Sequence, residues 1–176
     1  MSVVLFSKRD LCNGNSNGEL KVYETSKSAT SVILNRIILE KVYKTKTIPV
    51  PTLGESDAAL LIGNEALLER SYKSWDYLYD LGEEWKRLTG LPAVFAVLAT
   101  NLKVFEEKKR ELDLFLEFFS ATYKKNKENI NFIIKKAQEK IPLEEKVLYK
   151  YFKCLKYEIG ADEEQSISLF DQLRQE

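Results

Sequence analysis

Between Asp57 and Gly63 the chain reads Ala58-Ala59-Leu60-Leu61-Ile62, with no polar residue inside the run. A strand with one face in water alternates polar and apolar residues. An unbroken apolar run this short therefore belongs in a sheet covered by helices on both faces. The neighbouring segments keep that rhythm. Ser2 to Phe6 forms a short apolar strand candidate, Glu19 to Tyr23 a second with Leu20 and Val22 alternating, and Thr47 to Val50 a third, stopped by Pro51. Asn13 to Gly18 is a dense turn signal between the first two. Val32, Ile33, Ile37, Ile38 and Val42 recur at helical spacing behind Ser28-Ala29-Thr30-Ser31, whose hydroxyls suit a helix N-cap. Strands alternating with helices predict an α/β fold class, with a mixed or parallel sheet flanked by helices.

The second half changes character. Asp80-Leu81-Gly82-Glu83 has the form of a capping box for a helix through Thr89, closed by Gly90, and Pro92 to Leu98 resembles a further buried strand. From Leu102 onward the pattern is helical. Phe105, Leu112, Phe115, Leu116, Phe119 and Tyr123 make one stripe, and Ile130, Ile133, Ile134 and Ala137 another. Pro142 opens a third helix towards Phe152. Asp162 with Gln165 resembles a capping box for a last amphipathic helix bearing Ile167, Phe170 and Leu173. The division expected is residues 1–100 as an α/β lobe and 101–176 as a helical segment.

Composition narrows the chemistry. The chain of 176 residues has 27 basic and 27 acidic side chains and no histidine. Zero formal charge leaves no basic field for nucleic acid, so an anionic ligand would be held by local groups. Without imidazole, Ser/His/Asp and Cys/His nucleophile systems are excluded, as are most zinc sites. Cys12 and Cys154 lack metal or redox spacing, which fits a reducing, cytoplasmic setting. No stretch of about 18 apolar residues is present, so no membrane partner is expected.

Several clusters carry two readings each. Ser26, Ser28, Thr30 and Ser31 sit where a strand hands over to a helix; they serve either as simple caps or, with the first helical amides, as a seat for a carboxylate or phosphate. Asn64, after the Asp57 to Gly63 strand, is either the N-cap of a short helix from Glu65 to Arg70 or part of that site. Gly90-Leu91-Pro92 is either a C-cap followed by a rigid turn or a close backbone approach to a ligand. Tyr72, Trp75, Tyr77, Tyr79 and Trp85 either pack a lobe face or form a stacking platform.

Four blocks in order carry a resemblance: Ser2-Val3-Val4-Leu5-Phe6-Ser7-Lys8; Ser28-Ala29-Thr30-Ser31-Val32; Asp57 through Asn64; and Asp80-Leu81-Gly82-Glu83-Glu84-Trp85 running into Thr89-Gly90-Leu91-Pro92-Ala93-Val94-Phe95-Ala96. They resemble the menaquinone biosynthesis family of the futalosine route, in particular its chorismate dehydratase branch. The tail from Tyr151 to Phe170 is similar to the family's closing helices, so the likeness spans nearly the whole chain. Asn64 stands where the family usually has aspartate, and Ala93 and Leu98 replace bulkier aromatics.

The resemblance implies a type II periplasmic-binding-protein-like fold, here one complete α/β lobe plus C-terminal helices of an incomplete first lobe. It also implies a cofactor-free carbon-oxygen lyase acting on chorismate, with weak or no activity for this chain alone. The substrate-binding residues it implies are Ser26, Ser28, Thr30, Ser31, Asn64, Gly90, Leu91 and Pro92. The alternative is a carboxylate-binding or partner-binding module without catalysis. With opening strands lacking, the faces of Phe115/Phe119 and Phe170/Leu173 are expected to be bare, favouring a homodimer or docking with a separate N-terminal fragment.

Overall fold

The computed structural model describes residues 2–12 and 19–175; the turn read at Asn13 to Gly18 lies outside them. Two compact units form, Met1–Phe95 with Lys156–Glu176, and Ala96–Leu155.

The first unit is built on a five-stranded sheet. Its strands are β1 (Val3–Ser7), β2 (Leu20–Glu24), β3 (Thr47–Val50), β4 (Ala58–Ile62) and β5 (Tyr77–Asp80), in the spatial order β3-β2-β4-β1-β5. β2 pairs in parallel with β3 and β4, while β1 runs antiparallel to both β4 and β5. The sheet is therefore mixed, as in a periplasmic-binding-protein-like lobe. β1 is buried along its whole length because strands flank it and both sheet faces are covered. Pro49 is tolerated in β3 because that strand pairs only with β2 among the described residues, leaving an edge where the missing N–H costs nothing.

Alternate side chains divide between two apolar layers. Val3, Leu5, Leu20, Val22, Ala58 and Leu60 face helices α1 (Ala29–Lys41), α3 (Leu81–Thr89) and α8 (Ala161–Leu173). Val4, Phe6, Ala59 and Leu61 face Ala66 of helix α2 (Gly63–Tyr72). Arg36 of α1 clamps Glu24 at the end of β2 with two bonds of 2.9 and 2.7 Å. Asn35, fully buried on α1, finds no partner for either side-chain polar atom among the described residues, a cost to the fold set against this packing.

The aromatic cluster is split by the pleat. Trp75 packs against Phe6 on the α2 side, whereas Tyr79 and Trp85 lie in the other layer. A common stacking platform does not form from them. β5 itself was not foreseen from the sequence. It is a four-residue edge strand whose outer half, Tyr77 and Leu78, remains exposed.

The last helix rejoins this unit. Trp85 Nε1 donates to Ser166 Oγ at 2.8 Å, and the Trp85 ring meets Phe170 edge-on. Phe170 and Leu173 are thereby partly buried rather than bare. Residues 156–176 thus differ from the division read at residue 100. The start of α8 also differs from the expected Asp162/Gln165 box: Glu163 accepts from the Gly160 N–H at 2.9 Å and pairs with Lys156 at 2.7 Å.

The second unit holds α4 (Leu102–Glu107), α5 (Lys109–Glu128), α6 (Ile130–Gln138) and α7 (Glu145–Cys154). α6 and α7 pack together, and Ile134, Ile141, Leu143 and Leu148 are buried. α7 starts after Pro142 rather than at it. α5 buries no side chain; Phe115 and Phe119 are exposed, as expected, and so is Phe118. Pro92 to Leu98 is not a strand. An apolar run of this kind needs neighbours on both sides, and none pairs with it among the described residues, leaving Phe95, Val97 and Leu98 exposed.

Two buried phenols make the first unit sensitive to alkali. Burial, reinforced by Glu84, pushes Tyr43 upward, and burial pushes Tyr79 up to about 12. The Tyr79 hydroxyl accepts from the Leu11 N–H at 2.8 Å in a site that disfavours the phenolate. An unfolded chain ionises these groups near their ordinary value of about 10, so their contribution is full below that pH and is lost as pH rises through the folded values. Tyrosinate absorbance should contain a late phase, from Tyr43 and Tyr79, that appears only as the fold opens and is diminished in Tyr43→Phe and in Tyr79→Phe. A titration with no such late phase contradicts this.

Candidate functional site

The strand order locates a crevice before any side chain is considered. β2 continues through α1 on one face to β3, and β4 continues through α2 on the opposite face towards the β5 side. Adjacent parallel strands whose connections depart in opposite directions leave an opening outside their carboxyl ends, where α/β proteins bind ligands. Here that opening is bounded by residues 25–31 after β2 and residues 62–65 after β4.

On the β2 side, Thr25 is buried and its Oγ1 accepts from the Lys27 N–H at 3.2 Å, which bends the turn. Ser28 is the N-cap of α1. Its Oγ accepts from the Ser31 N–H at 3.1 Å and donates to Ser31 Oγ at 2.9 Å. Ser31 is buried, so both hydroxyls are engaged in shaping the turn. Ser26 and Thr30 are exposed. The capping reading is therefore correct for Ser28, while the amides of Ala29 and Thr30 precede the first intrahelical bond, from the Val32 N–H to the Ser28 carbonyl. The first turn of α1 contains no acidic residue, so its partial positive charge is not offset from within the helix.

On the β4 side, Gly63 opens α2 with φ +61, a left-handed conformation that favours glycine, and its N–H donates to the Ser2 carbonyl at 2.7 Å. Asn64 is exposed in the first turn of α2 and is not its N-cap; that position is Ile62, whose apolar side chain supplies no capping oxygen. α2 also runs from Gly63 to Tyr72, longer at both ends than expected.

Lys27 and Glu65 join the two sides. The Lys27 ammonium pairs with a Glu65 carboxylate oxygen across the opening, both side chains being more than half exposed. Sequence reasoning passed over this pair because 38 residues separate its members. The adjacency of β2 and β4, which brings them together, is a property of the sheet order and is not visible in local spacing.

Gly90, Leu91 and Pro92 are placed differently. Gly90 ends α3 with φ +77, its N–H donating to the Lys86 carbonyl at 2.8 Å, and the Leu91 N–H donates to Thr89 Oγ1 at 3.1 Å. Their bonds run back into α3, whose Arg87 lies over the Tyr43 ring beyond the far end of α1 from Ser28. Ser26, Ser28, Thr30 and Ser31 follow β2 and Asn64 follows β4, whereas Gly90 and Leu91 bond back into the C-terminal end of α3.

The donor set offers hydroxyls, helix-end amides and one ammonium. These groups suit a carboxylate. No helix among the described residues is long and apolar enough to cross a membrane. Compared with known proteins, the chain matches the family model described as menaquinone biosynthesis over residues 1–176.

Proposed function

Because the chain belongs to the menaquinone biosynthesis family, we propose that it is a chorismate-dehydratase-like lyase whose β2/β4 opening holds a carboxylate of the substrate. The observation that carries this reading is the convergence of the acid-free α1 N-terminus, Thr30, Ser26 and Lys27 at the switch point of the sheet. Dehydration of chorismate removes the ring proton beside the enolpyruvyl ether and the neighbouring hydroxyl, giving 3-enolpyruvyl benzoate and water. That proton is acidified through the conjugated ring carboxylate, so negative charge gathers there before the hydroxyl leaves. Donors fixed on the carboxylate stabilise that charge without moving during the reaction. Aromatisation supplies the drive.

Within this reading, Thr30, Ser26 and the amides of Ala29 and Thr30 contact the carboxylate, while Ser28 and Ser31 hold the turn. Asn64 stands on the opposite side of the opening as a neutral donor and acceptor. Gly90 keeps the capping role that its geometry supports. Association through α5, as a homodimer or with a separate chain, belongs to the same proposal and is supported by the exposed Phe115, Phe118 and Phe119.

The second reading, a carboxylate-binding module without turnover, is favoured by the pairing of the carboxylates at the ends of β2 and α2, Glu24 with Arg36 and Glu65 with Lys27, which leaves neither as a ready proton acceptor. Incubation of the protein with chorismate, followed by chromatographic separation, distinguishes the two. 3-Enolpyruvyl benzoate formed above the uncatalysed background supports the lyase. Saturable binding with no product supports the binding module, and a protein that shows neither turnover nor saturable binding contradicts both readings.

A further inference from the structure

Every side chain of α5 (Lys109–Glu128) is at least partly exposed, although the helix carries an apolar stripe. Leu112, Phe115, Phe119 and Thr122 follow one another at steps of three or four residues and so share one face. Phe115 and Phe119 stack there with ring centroids 6.2 Å apart, yet remain 47% and 38% exposed. Helices in water are held mainly by packing such a face against another element, and none of the described residues does this for α5. Resting on the association through α5 proposed above, we infer that its partner is a second copy of this chain. The two α5 helices lie antiparallel about a two-fold axis between the Phe115 and Phe119 layers.

The order of charges along the helix selects this partner and this direction. Glu111, Phe118 and Lys125 recur at intervals of seven, forming one line beside the apolar stripe that reads acidic, aromatic, basic. Reversed against itself, the line sets Glu111 opposite the partner's Lys125 and Phe118 opposite the partner's Phe118. The same reversal packs Phe115 on the partner's Phe119. Self-complementarity of this kind is what a two-fold interface between identical chains requires, and each contact then occurs twice. Glu111 and Lys125 are exposed, with no salt bridge to another described residue, and Phe118 is 71% exposed. A parallel pair lacks these contacts: it gathers Lys124, Lys125 and Lys127 of both copies at one end and aligns the two helix dipoles.

Sedimentation equilibrium of the intact chain, without chorismate, tests the pairing. It should show a reversible dimer, and Phe118→Glu should raise the dissociation constant about thirtyfold or more, as removal of a central aromatic anchor does. Glu111→Lys should weaken the dimer about fivefold or more, because both symmetric ion pairs become repulsive, and adding Lys125→Glu should restore it. These side chains are exposed, so the first unit should keep its fold in each variant. Near-ultraviolet circular dichroism, which reports Trp75 and Trp85 of that unit, should match the parent.

A chain that remains monomeric overturns the self-pairing. A dimer that Phe118→Glu does not weaken uses another surface, which overturns association through α5 altogether. A dimer weakened by Phe118→Glu but indifferent to Glu111→Lys, or not rescued by the double variant, overturns the antiparallel register. Chorismate titration of the same samples keeps the two sites apart. Binding by a monomeric chain leaves the carboxylate opening standing, and a charge-dependent dimer that binds no chorismate leaves the α5 pairing standing.

Discussion

Trp85→Ala is expected to destabilise the first unit by about 3–5 kcal/mol, the range for emptying a large aromatic site in a core. Trp85 is only 1% exposed and sits where α3, α8 and the sheet layer containing Leu5 and Leu60 meet. Its removal takes away the ring packed on Phe170 and leaves Ser166, itself buried, without its indole partner. Because domains hold only about 5–15 kcal/mol in total, the loss consumes much of the margin. α8 is tied to the unit through this contact, so it should be released first. Urea unfolding followed by circular dichroism measures the effect, and hydrogen exchange in residues 161–173 reports the release. Trp85→Phe keeps most of the ring but not the donor and should cost about 1–2 kcal/mol. A change below about 1 kcal/mol for the alanine variant contradicts this account of how α8 is held.

Thr30→Val should lower chorismate affinity by about tenfold or more, since a hydrogen bond to a charged group is worth about 1.5–3 kcal/mol. The substitution preserves side-chain shape and lies at an exposed position, so stability should scarcely change. Ser28→Ala separates positioning from contact. It removes the oxygen that caps Ser31 and should cost about 0.5–2 kcal/mol of stability, with binding falling because the turn loosens. Calorimetric affinities beside thermal melts distinguish the two behaviours. Unchanged affinity in Thr30→Val removes its hydroxyl from the proposed site.

Much of the first unit was legible in the sequence for identifiable reasons. Ala58 to Ile62 announced a buried strand because no polar residue interrupts it, and the hydroxyls from Ser28 to Ser31 announced the start of α1 because they stand before an apolar helical stripe. β5 escaped notice because an edge strand of four residues carries too little periodicity. Pro92 to Leu98 misled for the opposite reason: composition favours a strand, but a strand exists only where another pairs with it.

The site divides in the same way. Its hydroxyls were local and visible. The Lys27–Glu65 pair and the Trp85–Ser166 bond join positions 38 and 81 residues apart, and follow only from the sheet order and the return of α8.

The central claim is that a substrate carboxylate occupies the opening at the ends of β2 and β4. Backbone amide shifts recorded during a chorismate titration test it most directly. Saturating shifts are expected in Ser26 to Ser31 and Gly63 to Glu65, with Ala29 and Thr30 among the largest. Saturating shifts confined to Gly90 to Ala93, with the α1 turn unmoved, would contradict it.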